Sequence, residues 1–220
     1  MAVSGSTNWT LDAAEVIEEA YERIGQEART GYDSQTARRS MNLLLADWAN
    51  RGVHLWMVAA VSKSLTSGTA SYTLDADIID IMDVVIRRDG TDYLIERISR
   101  NEYQNLPVKT ITGRPTQYWV DRQRDTPVIH LYPTPDDSTD TLRFYKMARM
   151  DDIDAAVNNA DVPYRFLPAL TSGLAYYLAV KRAPEKVQLL KALYEEDMYR
   201  AEQTDRDDTN MRVIPNLRGY

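Results

Sequence analysis

Two histidines, His54 and His130, are the residues of this chain best suited to acid–base or metal chemistry near neutral pH. No spacing in the sequence brings them together, because His54 follows a predicted helix and His130 alternates with apolar residues in a predicted strand. The motifs GxSxG, HExxH and GxGxxG and the Walker sequence do not occur in the chain. We therefore expect packing or surface roles for both histidines, and we predict no catalytic residue, cofactor or metal site.

Adjacent acidic residues are the second group of side chains that could do chemistry. The pairs are Glu18–Glu19, Asp136–Asp137, Asp151–Asp152, Glu195–Glu196 and Asp207–Asp208. Glycosidases need two carboxylates held across a sugar-sized gap, whereas adjacent acids in turns and on helix faces are usually solvated. The run Asp151–Asp154 resembles a calcium loop, but it has neither the glycine nor the terminal glutamate of that motif. We do not expect catalysis or calcium binding by these acids.

The composition is typical of a soluble globular protein: 220 residues, 44% hydrophobic and 27% charged. The absence of cysteine excludes disulfides, zinc–thiolate sites and thiol catalysis, and it favours folding in a reducing cytoplasm. With a net charge of −7 the chain gains little from neutralising phosphates, so it is not expected to grip DNA, although it could let DNA pass. No apolar run reaches the roughly 20 residues of a membrane span, and the N-terminus is not typical of a signal peptide.

Helical spacing of apolar residues predicts a pair of helices near the N-terminus. The first helix runs from Leu11 to Ile24, between the N-cap Thr10 and the stop Gly25. Its polar face carries four glutamates: Glu15, Glu18, Glu19 and Glu22. The second helix begins at residue 33 or 34 and ends at Gly52. Because a short loop joins the two helices, we expect an antiparallel hairpin.

Short β-prone runs alternate with turn residues from residue 54 to residue 150. Asp89–Gly90 lies between two such runs and predicts a hairpin, and Ser67–Gly68 predicts another between VSKSL and ASYTL. The segment SRNEYQNLP is typical of one helical turn closed by proline. Further strands are predicted at 116–121, 128–132 and 139–147, with a proline-rich turn at 132–137.

Helical spacing returns near the C-terminus and predicts a second pair of helices. Pro163 suits the first turn of one helix, and Pro184 marks the break before the next. Each of the four helices has one apolar face that needs a partner, so we expect them to pack together. The last residues are polar and have no periodicity, which is typical of a segment that forms no core of its own.

The expected fold class is therefore α+β: a four-helix bundle with a β-rich insertion between its helix pairs and an extended C-terminal tail. The expected segments are 8–53 for the first helix pair, 54–150 for the insertion, 151–204 for the second helix pair and 205–220 for the tail.

An excess of tyrosine, 14 residues in all, is a compositional sign of an interface. Four tyrosines of the C-terminal helices cannot all face one core: Tyr176, Tyr177, Tyr194 and Tyr199. They either cover the surface as amphipathic side chains or contact neighbouring subunits.

Several segments occur in an order that resembles the head-to-tail adaptor (connector) proteins of tailed phages, of the podophage portal-adaptor type. In the helical part the segments are AAEVIEEAYERIG and MNLLLADWANRGVHLW, a helix ending in IG and a leucine-rich helix ending in tryptophan. In the β-rich part they are IIDIMDVVIRRDG, RISRNEY, GRPTQYWV and IHLYPTP. Together they span most of residues 11–147, and the C-terminal helices fit the same architecture.

The resemblance implies a non-enzymatic structural protein of the virion neck, made in the host cytoplasm. Such a protein forms a ring, usually dodecameric, beneath the portal, with its helices lining the DNA channel and its β-rich part projecting outward. The implied partners are further copies of the chain, the portal protein and a tail nozzle or tail tube protein. DNA would pass without specific binding, and no membrane is involved. The candidate lumen face is the row Glu15, Glu18, Glu19 and Glu22, or else the acidic last helix.

The resemblance also implies portal contacts for the C-terminal tail, because the tails of related adaptors lie along the portal. Tails vary within the family, so the candidate portal-binding residues are read from this chain's own tail: Arg212, Val213, Ile214, Pro215, Leu217, Arg218 and Tyr220. The segment Val213–Pro215 would either add to the sheet of a neighbour or lie in a groove, with Arg212 and Arg218 meeting acidic groups.

Two other functions stay open at this point. A tail-completion or tail-terminator protein also forms a ring, but it caps a tube and often lacks a helical bundle of this kind. A cell-wall hydrolase carried in the tail would depend on one of the carboxylates and would clear peptidoglycan.

Overall fold

The computed structural model describes residues 11–28, 30–52, 55–155 and 157–205. Thr10, His54 and tail residues 206–220 lie outside the described residues. The N-cap of the first helix is Asp12, so the N-cap predicted at Thr10 is wrong. Where the chain is described, it divides into two compact units. The first, here the helical unit, contains the residues up to Leu44 and from Ile153 onwards, and the second, here the β unit, contains Leu45–Asp152.

Within those ranges the chain forms five α-helices and eight β-strands. The helices are α1 Ala13–Ile24, α2 Gly31–Arg51, α3 Arg100–Asn105, α4 Leu167–Arg182 and α5 Val187–Asp205. The strands are β1 Val58–Ser64, β2 Ser71–Thr73, β3 Ile78–Arg88, β4 Thr91–Leu94, β5 Glu96–Arg97, β6 Gln117–Asp121, β7 Val128–Tyr132 and β8 Thr141–Ala148. Short 3-10 turns precede β1, α4 and α5: Leu55–Met57, Tyr164–Phe166 and Pro184–Lys186.

Helix α1 is fixed at both ends by local signals. The Asp12 carboxylate accepts a hydrogen bond from the Glu15 backbone N–H at 2.8 Å, and the Glu15 carboxylate accepts one from the Asp12 N–H at 3.0 Å. This reciprocal capping box satisfies two N–H groups that the first turn leaves without helical partners. At the other end Gly25 has a φ of +78°, so the predicted stop at Gly25 is confirmed.

The α+β class is confirmed, but the predicted four-helix bundle is wrong, because the described chain combines five helices with two four-stranded sheets. The bundle prediction assumed that every helix has one apolar face and one polar face. Helix α4 departs from that assumption: all residues from Ala169 to Ala175 are buried. It therefore contacts α1 and α5 closely along the backbone and α2 through Leu44.

The buried middle of α4 contains several small residues, and two of them carry hydroxyl groups that hydrogen-bond to backbone carbonyls of the same helix. The Thr171 hydroxyl donates to the Leu167 carbonyl at 3.0 Å, and the Ser172 hydroxyl donates to the Pro168 carbonyl at 2.9 Å. These bonds remove the cost of burying the two hydroxyls. Gly173 leaves room for Leu44 from α2 and for the Tyr194 ring from α5.

Charged side chains join the ends of these helices. Arg182, at the C-terminal end of α4, forms an ion pair with Asp33 of α2, and its guanidinium carbon lies 5.2 Å from the centre of the Tyr21 ring. Hydrogen bonds from Arg182 and Thr30 hold the pKa of the Asp33 carboxyl below its ordinary value. Lys186 donates to the Ile24 carbonyl at 2.8 Å, which caps the C-terminal end of α1.

The β unit contains two sheets that share one hydrophobic core. The first sheet has the strand order β1-β8-β3-β4 and is antiparallel throughout. The second has the order β2-β7-β6-β5, in which only the β5–β6 pair is parallel. Alternate residues of both sheets face the core, which contains Leu65, Tyr72, Leu74, Ile78, Ile81, Val84, Ile86, Ile95, Tyr118, Val120, Ile129, Leu131, Leu142 and Phe144.

The hairpin predicted at Asp89–Gly90 is confirmed, and the one predicted at Ser67–Gly68 is wrong. Asp89 and Gly90 have φ values of +51° and +79°, and β3 and β4 pair antiparallel on either side of them. Gly68 also has a positive φ, but β1 pairs with β8 and β2 pairs with β7. The connection that contains Gly68 therefore carries the chain from one sheet to the other.

The close packing at Gly173 predicts a destabilising effect of the smallest possible side chain. A Cβ at this position would lie 2.8 Å from Leu44 Cδ2 and 2.9 Å from Tyr194 Cε2. Alanine is favoured over glycine in a helix by about 1 kcal/mol, but overpacking a core costs about 1–3 kcal/mol. Gly173→Ala should therefore lower the free energy of unfolding by about 1 kcal/mol and Tm by about 2–4 °C.

Gly31→Ala is the matched control for this substitution. Gly31 is the first residue of α2, and a Cβ there would meet nothing within 4 Å. The Tm of the Gly31→Ala variant should equal that of the natural chain or be slightly higher. Equal Tm changes for the two variants in calorimetry would show that Gly173 is not needed for the packing of α4.

Candidate assembly surfaces

The four glutamates predicted as a lumen face form an exposed row on α1. Glu15, Glu18, Glu19 and Glu22 are all exposed, whereas the opposite side of the helix is buried. Arg23 donates to Glu19 at 2.9 Å, and Glu15 belongs to the capping box. Among the described side chains, no ion pair involves Glu18 or Glu22. The row therefore presents a net negative charge.

The acidic last helix, the alternative lumen face, has two of its acidic side chains in ion pairs. Lys191 lies 3.6 Å from Glu195, one helical turn away, and Arg200 forms an ion pair with Glu196 in the same way. Such exposed pairs add little to stability, but they lower the local field of the helix.

The four tyrosines of the C-terminal helices do not share one surface. Tyr194 is buried, and its ring stacks on the Tyr176 ring with centres 6.2 Å apart. Tyr177 meets Tyr176 edge to face at 5.7 Å, and both are partly buried. Tyr199 is 61% exposed. Three of the four therefore take part in packing within the chain, and Tyr199 is the one with most of its ring available to a neighbour.

The outer face of the second sheet carries an aromatic cluster that sequence reasoning missed. The His130 ring stacks on the Trp119 ring at 4.7 Å, and Tyr103 of α3 lies 5.4 Å from both. Ser71 Oγ is 2.8 Å from His130 Nδ1. This placement agrees with the expectation of a packing or surface role for His130. The sequence predicted the strands that hold these residues, but their register, which joins Ser71 to His130, depends on tertiary pairing.

Ser71 and His130 are close enough to be a nucleophile and its base, but their surroundings favour a structural role. The two residues are register partners on neighbouring strands, and the imidazole is stacked on the Trp119 ring. Within the described chain, no carboxylate is hydrogen-bonded to the imidazole to orient it as a base. Burial lowers the pKa of His130, and Asp121 opposes that shift, so the ring is neutral at pH 7.

The acidic pair at Asp136 and Asp137 is engaged in holding the β unit together. Arg88 donates to both carboxylate oxygens of Asp140, at 2.8 and 2.7 Å, and also forms an ion pair with Asp136. The Asp140 side chain is 0% exposed, so this two-pronged contact compensates a fully buried charge. Asp137 accepts from the Thr139 N–H at 2.8 Å.

Neither a metal site nor a membrane-spanning helix is present in the described ranges. No three side chains of the His, Asp or Glu type in this part of the chain are placed to hold a metal ion. No helix of the described chain is both long enough and apolar enough to cross a bilayer.

Comparison with known proteins identifies the class. Residues 11–215 match the model of a family of the phage head–tail adaptor type. That family is the SU10 adaptor protein family, and because the match covers most of the sequence, the chain belongs to it. A comparison with curated proteins gave no match. The resemblance to head-to-tail adaptors is thus confirmed, and family membership implies a structural component of the virion that assembles with portal and tail proteins.

The partly buried imidazole of His130 predicts a pH dependence of stability. The folded-state pKa of His130 lies below the unfolded value of about 6.5. As the pH falls, the unfolded chain binds the proton first, so this contribution is complete above about pH 6.5 and is lost as the pH falls through the folded pKa. His130→Phe keeps an aromatic ring in the stack and removes the titration. Its Tm should therefore fall less than that of the natural chain between about pH 7.5 and pH 5.

His54→Phe serves as the comparison, because His54 is the second of the chain's two histidines. If the Tm of His54→Phe varies less with pH than that of the natural chain, and the Tm of His130→Phe does not, His130 is not the titrating group.

Proposed function

We propose that the protein forms a ring, dodecameric as the resemblance implies, that joins the portal to the tail and lines the channel through which DNA passes. The observation that carries the proposal is the extent of the family match, residues 11–215. This range includes the whole described chain and the first part of the tail, so the correspondence does not rest on one unit alone.

The glutamate row supports a lumen role for α1. Three of its four carboxylates, those of Glu15, Glu18 and Glu22, have no ion-pair partner in the described chain, and the row lies on one side of a helix whose other side is buried. In a ring this row would repeat in every copy. A continuous negative field repels phosphates at short range and limits the adhesion of passing DNA.

The tail supports a portal contact through its composition. Residues 206–220 are mostly polar, and their few apolar side chains, such as Val213, Ile214 and Leu217, could be buried on a surface that a partner supplies. The tail also contains Arg206, Arg212 and Arg218, which suit acidic groups on a partner. The described chain would then supply the ring, and the tail would supply much of its affinity for the portal.

Co-sedimentation with purified portal rings tests the joint between ring and portal. The natural chain should sediment with portal, and a chain lacking residues 206–220 should lose at least tenfold in affinity while its Tm barely changes. The paired variant Arg212→Ala with Arg218→Ala should lose part of that affinity. Arg124→Ala is the matched control, since Arg124 is a 95% exposed arginine of the described chain.

Failure of the natural chain to sediment with portal would contradict the proposal, as would normal neck assembly in its absence. Labelled protein found at the far end of a tail tube would instead favour a tail-completion or tail-terminator protein.

Charge reversal tests which helix lines the channel. In virions assembled with Glu18→Lys and Glu22→Lys, DNA release triggered in vitro should slow several-fold, because the new cations attract phosphates. The slowing should weaken as salt is raised, since screening shortens the range of the field. Neck assembly, counted by electron microscopy, should be unchanged.

The matched control carries Glu195→Lys and Glu196→Lys on α5. Equal or greater slowing by this pair would contradict the assignment of α1 to the lumen.

A further inference from the structure

The first sheet of the β unit has two edges on which no strand of the described chain is placed. One edge is β1 and the other is β4, at opposite ends of the order β1-β8-β3-β4. Unpaired edge strands carry free N–H and C=O groups and readily pair with another chain. Proteins usually protect such edges with charges, proline or bulges. An edge strand without these features is therefore a candidate for pairing with another chain.

Strand β1 has almost none of this protection. Its sequence is VAAVSKS, with one charged residue and no proline. All seven residues pair with β8 in an unbroken register from Val58↔Met147 to Ser64↔Thr141, so no bulge twists the edge away. The irregularities of this sheet lie in β3, which is internal.

The same sheet has an outer face that is partly apolar at both edges. Val61 pairs with the buried Phe144 and packs on the core, so Ala60, which pairs with Tyr145, lies on the outer face. Tyr145 is 47% exposed and Leu94 of β4 is 79% exposed. Leu94 pairs with Val85, and Val85 pairs with Arg143 of β8. Paired residues lie on the same face of a sheet, and so do residues two apart on one strand. Leu94 therefore lies on the same face as Tyr145.

Strand direction decides what kind of partner fits both edges. All neighbours in this sheet are antiparallel, so β1 and β3 run one way and β8 and β4 run the other. When two copies related by a rotation stand side by side in the same orientation, β1 of one copy meets β4 of the next antiparallel. The sheet then continues with its alternation intact. A sheet with an odd number of alternating strands would be forced into a parallel joint.

The charges of the two edges permit that joint. Strand β1 contains one charged residue, Lys63, and β4 contains one of opposite sign, Asp92. No like charges would face each other across the joint. Because β4 has only four residues, each joint would be short, which is consistent with a ring that closes on a portal template rather than one that forms from dilute monomers.

We infer that β1 of one copy pairs antiparallel with β4 of the next, so that the first sheets of all copies join into one continuous belt around the ring. This inference rests on the proposed ring. It identifies the joint as a head-to-tail contact between two different edges of one sheet, the kind of contact that closes into a ring when the rotation per copy allows it.

Engineered disulfides can test the joint directly, because the chain contains no cysteine. Three double variants combine Leu94→Cys with Ala60→Cys, Ser62→Cys or Ser64→Cys, three successive exposed positions on the outer face of β1. Within one copy, β1 and β4 are three strand spacings apart, about 14 Å. A disulfide needs Cα atoms about 4.4–6.8 Å apart, so cross-links can form only between copies.

Rings assembled on purified portal are oxidised and run on a denaturing gel without reductant. At least one pair should give a ladder that ends at the full ring, and the single-cysteine variants should give no species beyond dimers. A ring without a ladder from any of the three pairs overturns the inference and leaves the proposed function standing. Absence of the ring itself, in the natural chain with portal, overturns both.

A fourth pair, Ala60→Cys with Val213→Cys, tests the alternative that the tail of a neighbouring copy pairs with the β1 edge. If this pair gives the ladder and the Leu94 pairs do not, the tail of a neighbour adds to β1 and the inferred joint is wrong. The Tm of each reduced variant should match that of the natural chain, because Ala60, Ser62, Ser64 and Leu94 are exposed.

Discussion

The middle of helix α4 cannot be solvated on any side, and the helical unit is organised by that constraint. Seven successive residues, Ala169 to Ala175, are buried, so α4 needs apolar neighbours around its full circumference. The chain supplies them from both of its ends: α1 and α2 from the N-terminal part and α5 from the C-terminal part. The β unit, Leu45–Asp152, therefore lies in the sequence between segments that must come together to enclose α4.

Packing and ion pairing within the chain also explain which residues remain at the surface. Two of the four predicted interface tyrosines, Tyr176 and Tyr194, pack α4 against α5. The acidic residues near Arg88 hold β3 to the segment before β8. Among the features left exposed are the glutamate row of α1, the mostly exposed Tyr199 and the two edges of the first sheet. These features suit a protein that presents charge to one partner and backbone edges to another, as a structural adaptor does.

Several features that depend on a signal of a few residues agree with the sequence. Gly25 ends α1, Asp89–Gly90 turns the β3–β4 hairpin, and Ser99 with Glu102 forms the capping box of the predicted helical turn. Each of these depends on the conformations open to one or two residues. The overall match to a head-to-tail adaptor was also within reach, because the order of many short segments is visible without a structure.

Strand pairing and helix burial that depend on distant parts of the chain were not predictable in the same way. Nothing near Ser67–Gly68 shows that β1 must pair with β8, about eighty residues away. The apolar stripe of α4 was visible, but alanine, serine, threonine and glycine between its leucines gave no sign that they too are buried. That missing information turned a cluster centred on one helix into a predicted four-helix bundle.

A reconstruction of the phage neck, from electron micrographs of intact particles, tests the central claim most directly. The account predicts a ring of density between portal and tail into which the helical unit and the β unit can each be fitted in every copy. Normal neck density in particles made without the protein, or its density at another place in the virion, would contradict the account.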